Sequence, residues 1–142
     1  MKTITVLLMM FTTVPVVVFC QNLAPAKIPP VIKAALAKKY PMAKNITWEK
    51  EKGNFEANWG GKSGEDMSVQ FSPAGVFVEQ VVAISPAILP ESIIRFVMAH
   101  YKGAKITEAG RVTDAAGTLK YEAEVKGKDL LFSESGAYLK SN

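Results

Sequence analysis

Few residues of this chain have side chains that could carry out catalysis. Its 142 residues include one histidine, His100, and one cysteine, Cys20. A single histidine rules out a histidine-rich metal site, and His100 falls on the polar side of a predicted helix as a solvated surface residue. The chain has no Gly-x-Ser-x-Gly nucleophile pattern and no phosphate-cradling glycine pattern. The sequence therefore predicts a protein that is not an enzyme and that uses no cofactor.

Acidic residues in two predicted turns are the weak candidates for a metal site. Glu65 and Asp66 are adjacent in a predicted hairpin loop. We interpret them as solvated loop charges, with an opportunistic cation site as the alternative. Asp114 is the only acid in a turn of four residues, 114–117, where a calcium loop would alternate several acids. A structural turn is the favoured interpretation, and we predict no metal site.

Three further glutamates occur in predicted strands. Glu56, Glu122 and Glu124 each alternate with predicted core positions. Paired carboxyl groups can transfer protons. Their alternation with apolar residues nevertheless favours the polar face of a sheet over an acid–base pair.

Positive charge is concentrated around the first predicted helix. The formal net charge of +4 is small for a protein that binds nucleic acid, and we predict no such partner. We interpret the lysines as a solvated helix face, with attraction to anionic envelope lipids or to an acidic partner as the alternative. They are Lys27, Lys33, Lys38, Lys39 and Lys44.

The first twenty residues have the pattern of a secretory signal peptide. Lys2 precedes a run over 4–20 that contains no charged residue. We predict cleavage after Cys20, which leaves a mature chain without cysteine and without a membrane span. The predicted location is periplasmic or secreted. A lipoprotein acylated at Cys20 is the alternative, although bulky Phe19 stands where a lipobox has a small residue.

The rest of the chain contains an internal repeat. A shift of 61 residues places 28–44 on 89–105, including Tyr40 on Tyr101. In the middle of the units the shift becomes 66, because one loop of the second unit is longer. We therefore predict a signal peptide over 1–20, an N-terminal leader over 21–27, a first repeat over 28–84 and a second repeat over 85–142.

Each predicted unit begins with a helix, over 28–40 and over 89–101. Apolar residues recur there at every fourth position, which is the spacing of a buried helical stripe. About four strands follow, marked by alternating polar and apolar residues and by glycine-containing turns. The pattern predicts an α+β fold, a tandem repeat of one helix plus about four antiparallel strands, with both helices on one face of the sheet. The strands could form one continuous sheet or two packed sheets.

One strand segment departs from the alternation. Residues 76–84 are apolar at positions that face both sides of the strand, which favours a central strand or one at the junction of the two units. The alternative places Phe77, with Tyr138 in the corresponding strand, on the uncovered face as anchors for a partner. Trp59, beside two glycines, is either a core residue or an exposed anchor at a hairpin end. Phe77, Tyr138 and Trp59 are the predicted binding residues.

Several short motifs occur in order along residues 28–140. They are Ile28-Pro29-Pro30-Val31-Ile32, Lys39-Tyr40-Pro41-Met42-Ala43, Ile46-Thr47-Trp48-Glu49, Phe71-Ser72-Pro73-Ala74-Gly75 and, in the second unit, Leu89-Pro90 and Tyr101-Lys102-Gly103-Ala104. Taken in this order, they resemble the PepSY-like, beta-lactamase-inhibitor-like (BLIP-like) domain of exported Bacteroidetes proteins. That resemblance implies a tandem helix-plus-sheet fold, a periplasmic or secreted location and a non-catalytic role.

The lack of catalytic motifs and the expected open sheet together predict an exported binding module. We predict that the open face of the sheet holds a protein or peptide of the cell envelope, or a secreted one, in the manner of an inhibitor. The alternative is a periplasmic protein that binds a small ligand or a cation such as calcium.

Overall fold

Within residues 21–141, nine antiparallel strands form one sheet in which each strand pairs with the next along the chain. The computed structural model describes residues 21–141, so the predicted signal peptide over 1–20 lies outside the described residues. Two connections are long, and each of them contains a helix. The helices are α1 (Pro30–Lys39) and α2 (Glu91–His100). The strands are β1 (Gln21–Asn22), β2 (Thr47–Glu51), β3 (Asn54–Trp59), β4 (Met67–Phe71), β5 (Phe77–Ile84), β6 (Ile106–Asp114), β7 (Leu119–Val125), β8 (Lys128–Ser133) and β9 (Tyr138–Ser141).

Both helices begin two residues later than the apolar stripe predicts. Ile28 and Leu89 are each followed by a proline, which drives the preceding residue into an extended conformation. Both residues are extended in the structure, with ψ of 125° and 147°, yet both are buried. The stripe therefore includes one residue that packs before the helix starts. Within residues 21–141, no helix is long and apolar enough to cross a membrane.

Each helix covers its own group of eight buried residues, which we call the α1 cluster and the α2 cluster. In both clusters the helix contributes residues four positions apart, as an amphipathic helix must when one side faces a sheet. The α1 cluster comprises Ile28, Ile32, Leu36, Trp48, Phe55, Ala57, Val69 and Phe71. The α2 cluster comprises Leu89, Ile93, Val97, Ala109, Ala123, Val125, Leu130 and Phe132.

Both helices lie on the same face of the sheet. Directly paired residues on neighbouring antiparallel strands point to one side, so a row of such pairs marks one face. One row runs from Met67, two residues from Val69 of the α1 cluster, to Phe132 of the α2 cluster. We call this side the helix face and the other the open face. The row is Met67, Val82, Arg111, Tyr121 and Phe132.

Strand β5 makes the sheet continuous. It pairs with β4 on one side and, from Glu79 to Ile84, with β6 on the other. Both faces of this central strand are partly buried, which explains its apolar residues. On the open face, Val81 sits so close to Gly110 that a Cβ added there would lie 2.5 Å from the Cγ1 atom of Val81. Of the two arrangements left open by the sequence, the structure has the single sheet.

Gly136 lies where the β8–β9 turn meets α2, and alanine should be poorly tolerated there. Its φ is +82°, and an added Cβ would lie 1.9 Å from the Ser92 Oγ atom. That hydroxyl donates a hydrogen bond of 3.3 Å to the Ser135 carbonyl. Gly136→Ala is therefore expected to lower the free energy of unfolding by about 2–3 kcal/mol, through backbone strain and displacement of the serine.

Gly117 provides the matched control, because its φ is also +82° but no atom lies within 4 Å of an added Cβ. Gly117→Ala should cost only the backbone strain, about 1–2 kcal/mol. Urea denaturation of both variants measures the difference. Adding Ser92→Ala to Gly136→Ala should restore the stability that Gly136→Ala loses beyond Gly117→Ala. A double variant that is no more stable than Gly136→Ala would show that the steric contact is unimportant.

Candidate functional site

A concave groove with a volume of about 580 Å³ occupies the open face of the sheet. Nine of the thirteen acidic residues of the chain line it, together with two basic residues, Lys52 and Lys140. The acidic residues come from six strands, β2, β3, β5, β6, β7 and β8, and from the β3–β4 loop. They are Glu49, Glu51, Glu56, Glu65, Glu79, Glu108, Glu122, Glu124 and Asp129.

Strand alternation places these carboxyl groups in the groove. Glu56 lies between Phe55 and Ala57 of the α1 cluster, so its side chain must point to the opposite face. Glu122 and Glu124 are placed in the same way on either side of the buried Ala123. The residues that build the core thus also fix which side chains enter the groove.

The floor of the groove is apolar. Val81 and Val112 are paired across the central strands β5 and β6, and both line the groove. Val112 is 3% exposed although no helix covers this face. The groove therefore combines an apolar floor with acidic walls.

Charge is divided unevenly between the groove and the rest of the sequence. The groove has a formal charge of −7 when all its side chains are ionised, whereas the rest of the sequence has fifteen basic and four acidic residues. A concave surface of one sign concentrates the electric field and attracts ligands of the opposite sign. The small net charge of the chain thus conceals an acidic groove on a basic protein.

Glu51 and Glu56 form the carboxyl pair at the β2–β3 end of the groove. Gln70 donates a hydrogen bond of 2.9 Å from Nε2 to Glu51 Oε2, and the Lys52 Nζ atom lies 3.3 Å from Glu51 Oε1. Burial raises the pKa of Glu56 from an ordinary 4.5 to about 8, and a hydrogen bond with Glu51 and repulsion from its charge add to this effect. At neutral pH, Glu56 therefore holds a proton that it can share with Glu51.

Glu122 and Asp129 form a second group, on β7 and β8. Burial raises the pKa of Glu122 to about 7, with repulsion from Asp129, Glu79 and Glu51 adding to it. Burial and the charges of Glu124 and Glu51 raise the pKa of Asp129. Glu51 lies on β2, five strands from β7, yet it lines the same groove as Glu122 and Asp129. The sheet therefore curls and brings its two ends towards each other.

The groove is suited to holding positive charge. Carboxyl groups that share protons when the groove is empty would give them up to a cationic ligand, which replaces the protons as the neutralising charge. In the described part of the chain, no three histidine, cysteine, aspartate or glutamate side chains are arranged to hold a metal ion.

The structure places Phe77 and Tyr138 on the helix face, so the alternative that put them on the uncovered face is wrong. Phe77 packs edge-on against Phe71, with ring centroids 6.3 Å apart, and Tyr138 stacks on Phe96 of α2 at 4.7 Å. The physical reason is a β-bulge in each hairpin, which sets Phe77 opposite Phe71 and Tyr138 opposite Phe132. A binding role for the two side chains stays a prediction, and it would use the helix face.

Trp59 also lies on the helix face. It is half-buried against the α1 cluster, and its ring centroid is 5.3 Å from that of Tyr40. Its binding role likewise stays a prediction. The structure does not bring Phe77, Tyr138 and Trp59 together in one site, because Tyr138 packs against α2.

The weak metal candidates are also separated. Glu65 lines the groove, whereas Asp66 and Asp114 do not. Asp114 Oδ1 accepts hydrogen bonds from the backbone N–H groups of Ala116 and Thr118, at 3.0 and 2.9 Å, and its Oδ2 is 3.1 Å from Lys120 Nζ. These bonds lower the pKa of Asp114. Its carboxylate therefore stabilises a turn.

Sequence reasoning missed the groove as a site. Glu56, Glu122 and Glu124 were each interpreted as part of a polar sheet face, which is where they lie. The signal that was missed is visible only when the strand acids are considered together. Nearly all of them alternate with core residues, so their side chains must lie on one face of the sheet. The curl that turns this face into a groove has no signature in the alternation of any single strand.

Neither a protein-family model nor a curated protein matches the sequence. Solved structures do match the fold. A protein described as periplasmic, from Bacteroides eggerthii, matches with a TM-score of 0.66 and 20% identity over 80% of this chain and 87% of that chain. A DUF2874 family protein from Bacteroides uniformis has a TM-score of 0.65 and 21% identity over 80% and 88% of the two chains.

A BLIP-like protein from Bacteroides fragilis matches with a TM-score of 0.58 and 22% identity over 80% of this chain and 84% of that chain. At such identities the likeness establishes the fold alone. The resemblance found in the sequence is thereby confirmed: the chain has the fold of the BLIP-like and DUF2874 family proteins of Bacteroides.

Proposed function

We propose that this protein is an exported, non-catalytic binding module whose acidic groove holds a positively charged segment of a protein or peptide. The observation that carries the proposal is the collection of nine carboxyl groups in one groove of an otherwise basic chain. A lysine or arginine side chain can lay its methylene groups on the apolar floor while its charged end meets the acidic walls.

Two observations support export. Residues 1–20 have the composition of a signal peptide, and the similar protein from Bacteroides eggerthii is described as periplasmic. We propose a periplasmic or secreted location, with cleavage after Cys20. Acylation of Cys20, which would tether the groove to a membrane, remains the alternative.

We also propose that the fold arose by duplication of a unit over 28–84 and 85–142. The two buried clusters support this, because seven of the eight members of each correspond under the shifts of 61 and 66 residues seen in the sequence. Ile32 and Phe71 correspond in this way to Ile93 and Phe132. The groove crosses the junction of the units, so neither unit would form it alone.

Binding of a labelled oligolysine peptide, followed by fluorescence anisotropy at pH 8 and low salt, tests the proposed function. The variant Glu79→Gln/Glu124→Gln neutralises two groove residues and should weaken binding by at least about tenfold, or ~1.4 kcal/mol. Binding should also weaken steeply with salt, as expected for an electrostatic complex. An oligoglutamate peptide should not bind.

The matched control is Glu91→Gln/Glu134→Gln, which makes the same charge change at two exposed acids outside the groove. It should leave the dissociation constant within about twofold. Equal losses in the two double variants would show that only net charge matters, and the proposal would fail.

The groove also supports a second candidate, a periplasmic carrier of a small cationic ligand or of calcium. Its volume lies within the range of small-molecule sites, and its lining includes carboxylate and amide oxygens, which are suited to hard cations. Competition by Ca²⁺ or by a polyamine in the same assay separates the candidates. Displacement of oligolysine at micromolar Ca²⁺ would favour the carrier.

A further inference from the structure

The helix face carries a second hollow, at the outer edge of the molecule between α1 and the start of β2. Its volume is about 280 Å³, and its walls are formed mainly by apolar side chains that include Leu36, Ile46 and Trp48. This hollow lies on the opposite side of the sheet from the acidic groove. It therefore requires its own explanation.

The polar groups of this hollow are few. The Tyr40 ring lines it, but the Tyr40 hydroxyl donates a hydrogen bond of 2.5 Å to Gln80 Oε1. Lys33 is the one charged residue among those that line it. Among the ion pairs of residues 21–141, none includes Lys33.

Positive charge extends around the hollow. Residues 21–48 contain five lysines and no acidic residue, and all five lysines are exposed. Met42, between two residues that line the hollow, is 80% exposed. The α2 surface differs, since its Arg95 is 3.6 Å from Glu91. The hollow thus presents an apolar interior with Lys33 at its wall, in a chain segment whose charged residues are all lysines.

From this geometry we propose that the hollow binds a single-chain anionic amphiphile of the fatty-acid class. The apolar tail fills the space against Trp48 and Leu36, where it is removed from water. The carboxylate of the ligand lies at Lys33. The other lysines of residues 21–48 add to the attraction for this negative charge. The volume is at the small end for ligand sites, which suits one acyl chain rather than a two-chain lipid.

Isothermal titration of the protein with dodecanoate, below its micelle concentration, tests the proposal. Dodecylammonium has the same tail and the opposite charge, so it should bind at least about tenfold more weakly. Equal affinity of the two amphiphiles would overturn the proposal, because the lysines would then have no part in recognition.

Two variants at exposed helix positions separate tail from head recognition. Ala37→Phe fills the hollow and should abolish dodecanoate binding, whereas Lys33→Met should weaken it by about tenfold. Lys105→Met is the matched control, since Lys105 is exposed and lies outside the hollow, and it should leave binding unchanged. Circular dichroism verifies that each variant is folded.

Three further results would overturn the assignment. The first is binding to anionic phospholipid vesicles that Ala37→Phe leaves unchanged while dodecanoate fails to bind, since the surface would then dock on a membrane by charge alone. The second is displacement of dodecanoate by an acidic peptide at equal or lower concentration, which would identify a peptide site. The third is retained dodecanoate binding by Ala37→Phe, which would place the ligand elsewhere.

Discussion

Replacing Phe132 by alanine is expected to lower the free energy of unfolding by about 3–5 kcal/mol. Phe132 is 0% exposed and lies in the α2 cluster. Its ring meets those of Phe96 and Tyr138 edge-on, with centroids 5.4 and 5.8 Å away. Truncation removes these contacts and leaves a cavity that close-packed neighbours fill only in part.

The loss of stability in Phe132→Ala should also be detected by probes at the other end of the sheet. The two tryptophans of the chain, Trp48 and Trp59, pack in or against the α1 cluster. The sheet connects the clusters through β5 and β6, which pair over six residues each. Separating the two halves would expose the faces and hydrogen bonds of both strands, so we expect one cooperative transition. The tryptophan fluorescence midpoint in urea should therefore fall together with that of circular dichroism.

Phe71→Ala is the matched control for this experiment. Phe71 is 1% exposed and has the corresponding place in the α1 cluster. If the chain is one cooperative unit, both variants shift both signals. If Phe132→Ala shifts the circular dichroism signal and leaves the tryptophan midpoint in place, the two proposed repeats unfold independently and the shared sheet does not couple them.

The helices and their buried stripes were predictable from the sequence for a simple physical reason. Ile32 and Leu36, like Ile93 and Val97, are four residues apart, and that spacing puts both members of a pair on one side of a helix. The α+β fold, with two helices on an open antiparallel sheet, follows from such stripes and from strand alternation. Both signals are local, so a single chain segment is enough to display them.

The position of the aromatic side chains was not predictable in the same way. Phe77 reaches the helix face because one extra residue, Val78, is left out of the pairing between β4 and β5. A single bulge reverses the direction of every residue beyond it. Many sequences tolerate a bulge, so alternation alone does not decide on which face of the sheet a side chain beyond the turn will lie. The groove was hidden for a related reason, since curling depends on the twist summed over all nine strands.

The second large effect is expected at Glu56, whose neutralisation should stabilise the protein above neutral pH. Its pKa is raised to about 8, mainly by burial, from an ordinary 4.5. Between these values the folded state binds a proton that the unfolded state has lost, so the free energy of unfolding falls as pH rises. Glu122, with a pKa of about 7, also makes the free energy of unfolding fall as pH rises.

Glu56→Gln keeps the shape of the side chain and removes its titration. At pH 8 the variant should be more stable than the unmodified protein by about 2 kcal/mol, less than the full linkage value because the groove is open to solvent. At pH 4.5 the two proteins should differ little, since Glu56 is then protonated in the folded state. Urea denaturation at half-unit steps of pH measures both values.

Glu134→Gln is the control, because Glu134 is an exposed residue in the β8–β9 turn and its replacement should leave the pH profile unchanged. An unaltered slope in Glu56→Gln between pH 5 and 8 would mean that solvent screens this carboxyl and that the groove is not dehydrated. The same titration bears on binding. If cations displace the proton that Glu56 holds, oligolysine should bind more tightly at pH 8 than at pH 6, and Glu56→Gln should remove part of that difference.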